Sequence, residues 1–121
     1  MTMTEHLLDR YLAAWNETDP DARAKAVAGL WTEDSSYTDP LADVTGHAAI
    51  AATIEGAQAM FPGLVFTAGD VYDAHHHIAR FTWNLGPAGG EPVAAGYDMV
   101  ELAEDGRIRK VLGFLDLAPS A

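Results

Sequence analysis

The spacing of apolar residues changes at Pro62-Gly63, and that change constrains the fold more than any other feature of the chain. Before it, apolar residues recur every three or four positions, as on one face of a helix. After it, they alternate, as on one face of a strand. Leu8, Tyr11, Leu12 and Trp15 form the first helical stripe, with Thr2 and Glu5 at capping-box spacing ahead of it. Asn16-Glu17-Thr18 breaks the pattern, and Asp19-Pro20 restarts it: Asp19 caps, and Pro20 suits a first helical position that needs no N–H. Val27, Leu30 and Trp31 give this second helix its buried side, and Glu33-Asp34-Ser35-Ser36 reads as a polar turn. Ser36 to Pro40 reads as short and extended, because a residue before proline is pushed out of helical geometry. A third helix follows Thr45-Gly46, with Ile50, Thr53, Ile54, Ala57 and Phe61 on one face.

Strands are expected over Leu64 to Tyr72, His76 to Leu85, Val93 to Ala103 and Ile108 to Leu117. Phe81, Trp83 and Leu85 share one face of the second of these. Gly86 to Pro92 is a loop, and Glu104-Asp105-Gly106 is a hairpin turn, since Asp-Gly tolerates positive φ. No repeat or internal linker interrupts residues 1–121, so one domain is expected. Helices first and a meandering antiparallel sheet after make an α+β layer fold. A strongly curved sheet with helices across its open side encloses a pocket, and pockets of that kind bind small molecules.

Composition narrows the partners. The formal net charge is −11, from 18 acidic and 7 basic residues, so phosphate backbones and anionic membranes are poor partners. Hydrophobic residues make up 49% of the 121, enough for a real core. There is no cysteine, which excludes disulfides, thiolate metal sites and a cysteine nucleophile. The N-terminal residues lack the basic start and apolar run of a signal peptide, and a cytoplasmic location is expected.

Few residues could carry chemistry. In Tyr37-Thr38-Asp39-Pro40, alternation points Tyr37 and Asp39 the same way. A carboxylate carried into an apolar interior holds its proton more tightly and can serve as a base near neutrality. The alternative is an Asp-Pro turn in which Asp39 accepts local N–H bonds. Asp98 is the one charge in the apolar segment Ala94 to Val100; it points outward, or inward with a partner. Asp116, at the end of the last strand, reads as a rim residue. Tyr11 sits in the first apolar stripe, as a core residue or as a hydroxyl donor into a cavity. His75-His76-His77 reads as a solvated hairpin rather than a metal site, because a third ligand at suitable spacing is missing. There is no Gly-rich phosphate loop and no serine elbow.

In order and spacing the chain resembles the nuclear transport factor 2-like superfamily, in its SnoaL-like branch. The marks are Tyr11 to Asn16, Asp19-Pro20, Tyr37-Thr38-Asp39-Pro40, Gly46, Phe61-Pro62-Gly63, Phe81-Thr82-Trp83, and the Gly106 hairpin closing on Gly113-Phe114. The resemblance implies a cone: three N-terminal helices packed on a strongly curved antiparallel sheet. Its members include ketosteroid isomerases, polyketide cyclases, limonene epoxide hydrolase and binding proteins without chemistry, so fold alone does not fix function.

Ketosteroid isomerase is the most informative comparison. Arg10-Tyr11-Leu12-Ala13-Ala14-Trp15-Asn16 is similar to the segment that carries its tyrosine donor, Asp39 takes the place of its base, and Asp98 that of its second oxyanion donor. The implied reaction needs no cofactor and no metal. Asp39 removes a proton beside a ketone, while Tyr11 and a protonated Asp98 hold the enolate. Trp15, Tyr37, Phe61, Phe81, Trp83, Leu85, Phe114 and Asp116 are the implied ligand-binding residues. A SnoaL-like cyclisation could use the same acids, but the histidine that assists there has no clear counterpart, His76 being the one candidate. Epoxide hydrolysis is disfavoured, because Gly96 stands where that enzyme has arginine and Asp39 where it has asparagine. The expected partner is a small hydrophobic ligand or substrate, and the resemblance implies a homodimer through the outer sheet face. The alternative to an enzyme is a non-catalytic small-molecule-binding protein of the same fold.

Overall fold

The computed structural model describes residues 3–117; the expected Thr2 cap lies outside them. Helix α1 spans Met3–Asn16, α2 Pro20–Leu30 and α3 His47–Met60. Six strands make one sheet: β1 Trp31–Asp39, β2 Ala42–Thr45, β3 Val65–His75, β4 Ile78–Gly86, β5 Ala94–Leu102 and β6 Ile108–Leu117, in the order β2-β1-β6-β5-β4-β3. The structure corrects the expected order of elements, since β1 and β2 lie between α2 and α3. It also corrects the all-antiparallel sheet: β1 runs parallel to β6, while the other pairs are antiparallel. The sheet is therefore mixed.

The supposed turn at 33–36 is part of β1. The pairing of β1 with β6 slips between Trp31 and Ser36, and Glu33 and Asp34 point to solvent there while Ser35 and Tyr37 turn inward. A bulge breaks the period of two, so two exposed acids in succession imitate a turn. At the other hairpin, β3 runs on to His75 and β4 starts only at Ile78. His76 holds φ 53 in the turn between them.

Local rules account for most helix ends. Asp19 Oδ2 accepts the Ala22 N–H at 2.9 Å and Pro20 opens α2. Gly46 precedes α3 at φ 94, a region that favours glycine, and its N–H reaches Ser35 O at 2.8 Å. At the end of α3 the Phe61 N–H closes on Ala57 O at 3.1 Å.

The helix junction is tied by two polar side chains. Arg23, only 6% exposed, donates to Glu17 O, Thr18 O and Gln58 Oε1. Gln58 in turn donates to Trp15 O at 2.9 Å and Glu17 O at 2.8 Å, so α2 and α3 together satisfy the carbonyls at the end of α1. Asn16 pairs with both backbone groups of Phe66, at 2.8 and 2.7 Å, fixing α1 to β3. Trp31, Val27, Leu30, Ile50, Ile54, Phe81, Ile108 and Val111 fill the layer between helices and sheet. Each large apolar side chain buried there contributes roughly 1.5–3 kcal/mol. No helix among the described residues is long and apolar enough to cross a membrane.

Candidate active site

β1 brings Tyr37 and Asp39 to the inner side of the sheet by simple alternation, and the Tyr37 hydroxyl donates to Asp39 Oδ2 at 2.6 Å. The other oxygen, Oδ1, accepts the N–H groups of Leu41 and Ala42 at 2.8 and 2.9 Å. The turn and the inward carboxylate, alternatives in the sequence, are both present. One oxygen holds the Asp-Pro turn while the residue lines a cavity. All of these contacts are donated to Asp39.

β5 resolves the second ambiguity. Ala94, Gly96, Asp98 and Val100 alternate inward, and Asp98 is 3% exposed. Its Oδ2 accepts the Tyr11 hydroxyl at 2.7 Å. Tyr11 is held for that contact by its ring, edge-on to Phe81 at 5.1 Å and tilted against Trp31 at 5.6 Å.

β6 lies between β1 and β5, and Gly113 faces both acids. A Cβ at Gly113 would sit 2.7 Å from Asp98 Oδ1 and 3.2 Å from Asp39 Cβ. A side chain there would fill the gap that both acids border. Gly96 plays a related part, since the Trp83 indole and the Phe114 carbonyl occupy the space a Cβ there would need.

The electrostatics follow from burial. Desolvation pushes Asp98 up to about 6; the Tyr11 hydroxyl and the Trp83 indole pull it down, and the Asp39 charge adds to the rise. Tyr11 is raised well above the ordinary tyrosine range by burial, the Asp98 charge, Tyr37 and its bond to Asp98, and only the Trp15 indole opposes the shift. Tyr37 is raised by burial, the charges of Asp98 and Asp39, and its bond to Asp39. Both hydroxyls therefore remain protonated and able to donate.

These groups open on a cavity of about 440 Å³. Trp15, Tyr37, Phe61, Trp83 and Leu85 line it, as expected from the sequence, beside Tyr11, Asp39 and Asp98. Three expected residues do not. Phe81 is fully buried one layer deeper, covered by the Tyr11 ring and stacked on Tyr72 at 6.5 Å. Phe114 is 58% exposed because alternation from Gly113 turns it outward, where it packs on Tyr97. Asp116 is exposed, in the register shift that pairs Gly96 with Leu115 but Ala95 with Leu117.

Phe66 and Leu115 line the cavity without having been singled out. Leu115 stands two residues beyond Gly113, so alternation could have found it. Phe66 depends on the Asn16 contact, which no local pattern announces. His75, His76 and His77 are exposed at the β3–β4 turn, and His75 Nδ1 lies 3.0 Å from His76 Nδ1. Among the described residues no three His, Asp or Glu side chains gather as a metal site would require.

Known proteins give this geometry a context. The SnoaL-like domain family matches residues 8–111. A solved structure of a SnoaL-like family protein from Agrobacterium tumefaciens, provisionally named an isomerase, is 43% identical, covers 96% of this chain and 99% of its own, and superposes with a TM-score of 0.89. A SnoaL-like protein of unknown function from Burkholderia thailandensis shares the fold at 18% identity, over 95% of this chain and 98% of its own, with a TM-score of 0.72. A structure from Jannaschia sp., provisionally named a SnoaL-like polyketide cyclase, does so at 15% identity, over 96% of this chain and 89% of its own, with a TM-score of 0.71. No curated protein matches the sequence.

Proposed function

The chain belongs to the SnoaL-like family, and we propose that within it this protein is a cofactor-free acid–base enzyme acting on a small hydrophobic carbonyl compound. The observation that carries the reading is the buried Tyr11–Asp98 pair facing Asp39 across Gly113, in a cavity otherwise almost wholly apolar. Asp39 takes a proton from the carbon beside the carbonyl. The electron pair moves to the carbonyl oxygen, where Tyr11 and protonated Asp98 donate to the enolate. Asp39 then returns the proton to a different carbon, and the double bond shifts. An oxyanion donor of this kind lowers the barrier by roughly 3 kcal/mol.

With Asp98 pushed up to about 6, only about one molecule in ten holds that proton at pH 7. A bound ketone displaces water and a developing enolate attracts the proton, so the donor form grows as the reaction proceeds. In the free enzyme it must be present at the start. The test is ultraviolet detection of a β,γ-unsaturated ketone turning into its conjugated isomer. Wild type should turn over, with kcat/KM falling as pH rises through about 6, and Asp39→Asn should not. An active Asp39→Asn protein overturns the assignment.

A second reading rests on Asp39 itself. Its oxygens already accept three donors at rest, which suits a polar anchor in a non-catalytic binding protein. Ligand-dependent stabilisation without product would favour that reading, and turnover at full occupancy would end it. We also propose a homodimer through the outer sheet face. Met99 and Leu112, paired across β5 and β6, and neighbouring Phe114 are exposed there.

A further inference from the structure

We infer that the cavity takes hydrophobic ammonium ligands, with the charged head seated between Asp39 and Asp98 and the apolar body against Trp15, Phe66 and Trp83. Among the described residues, Asp39 and Asp98 are the only charged side chains lining the cavity, and no Lys, Arg or His lines it. The basic side chains are engaged elsewhere or exposed. Arg10 donates to Gly29 O and Arg23 to the helix junction. Arg80, Arg107 and Arg109 pair with Asp73, Asp105 and Glu101, and Lys25 and Lys110 face solvent. Asp98 is thus a buried carboxylate whose donors, Tyr11 and the Trp83 indole, are neutral. A buried charge without a counterion is costly, and a ligand that brings one relieves the cost.

Geometry agrees with charge. A carboxylate has about four acceptor sites. Asp39 has three donors on it, and Asp98 has those of Tyr11 and Trp83. Each keeps acceptor capacity for the N–H groups of an ammonium. Both acids border the gap over Gly113, Asp98 through Oδ1 and Asp39 through Cβ. Around them the rings of Tyr37, Trp15, Phe66 and Trp83 succeed one another at 5.5, 5.4 and 5.5 Å. Such rings attract a cation through their faces, tryptophan most strongly. The formal charge of −11 also raises the encounter rate for cations.

The inference uses the charge and shape of the cavity and does not rest on the carbonyl reading. Where both hold, an amine competes with a ketone for the same acids. The groups facing Asp98 are Tyr11 from α1, Tyr37 and Asp39 from β1 and Trp83 from β4. Amine affinity should fall as Asp98 takes up its proton.

The test is calorimetric titration of the full chain with 2-naphthylmethylamine and with its neutral isostere 2-naphthalenemethanol, at low salt, for wild type, Asp98→Asn and Asp39→Asn. At pH 8 the amine should bind wild type at least about tenfold more tightly than the alcohol. That preference should shrink at pH 5 and in each variant. Near pH 6, amine binding should release a proton, seen as an enthalpy that depends on the buffer, and alcohol binding should not. Equal binding of the two ligands overturns the inference, as does binding of neither. An amine preference that survives both substitutions also overturns it, because the cation would then sit elsewhere on the acidic surface. A cavity that prefers the alcohol can still isomerise a ketone, so the two proposals fail separately.

Discussion

Replacing Asp98 with asparagine removes one titrating proton and leaves the shape of the site almost unchanged. The amide oxygen can still accept the Tyr11 hydroxyl that now bonds to Oδ2 at 2.7 Å. Asp98 is raised from 3.8 in the unfolded chain to about 6 in the fold. Between those values the folded state holds a proton that the unfolded state has lost. The sign follows: this group's contribution is fully present below the unfolded pKa and is lost as pH rises through the folded one. Two pKa units at 1.36 kcal/mol each make the loss about 3 kcal/mol by pH 7. Asp98→Asn does not titrate, so relative to wild type it should gain stability by about 1.4 kcal/mol per pH unit across that window. Taking the difference between the two proteins cancels the other acids. Urea denaturation at closely spaced pH values from 4 to 8 measures it, with the midpoint and slope fitted at each. A difference that stays flat with pH would refute the reasoning, since Asp98 would then be solvated or paired in a way the fold does not show. The variant should be more stable at neutral pH and, under the carbonyl reading, inactive or nearly so. That combination is the familiar cost of a destabilised functional group.

Gly113→Ala should disturb the site from the backbone side. Its Cβ would lie 2.7 Å from Asp98 Oδ1 and 3.2 Å from Asp39 Cβ, an overpacking worth about 1–3 kcal/mol in a denaturation experiment. Ketone turnover should fall with it, and a fully active, equally stable protein would contradict the assigned role of the gap. Asp19→Ala removes a cap bond of 2.9 Å far from the cavity and should cost about 1 kcal/mol of stability, with ligand affinity unchanged.

Much of this arrangement is legible in the sequence, for reasons that are local. The Asp19-Pro20 start, the Gly46 entry to α3 and the Asp105-Gly106 hairpin are each set by chemistry within a few residues, and each is found where expected. Alternation places Tyr37 beside Asp39 and keeps Trp83 and Leu85 on the cavity side. What sequence spacing hides is non-local. The bulge in β1 turned a strand into an apparent turn, and the parallel pairing of β1 with β6 has no signature in either strand. Arg23 looks like a surface residue of α2 until Glu17, Thr18 and Gln58 surround it. Phe81 shares a face with Trp83, yet the Tyr11 ring shuts it off from the cavity. Whether a residue on the correct face reaches the cavity depends on what packs above it, and periodicity carries no information about that.

The most direct test of the central claim is proton exchange itself, independent of any natural substrate. A cyclic β,γ-unsaturated ketone in deuterated buffer near pH 6 is followed by proton NMR with wild type and with Asp39→Asn. Wild type should speed the loss of the proton signal at the carbon between carbonyl and double bond, and Asp39→Asn should leave it at the buffer rate. Exchange at the buffer rate in both proteins, with the ketone shown to occupy the cavity, would contradict the account and leave a binding protein in its place.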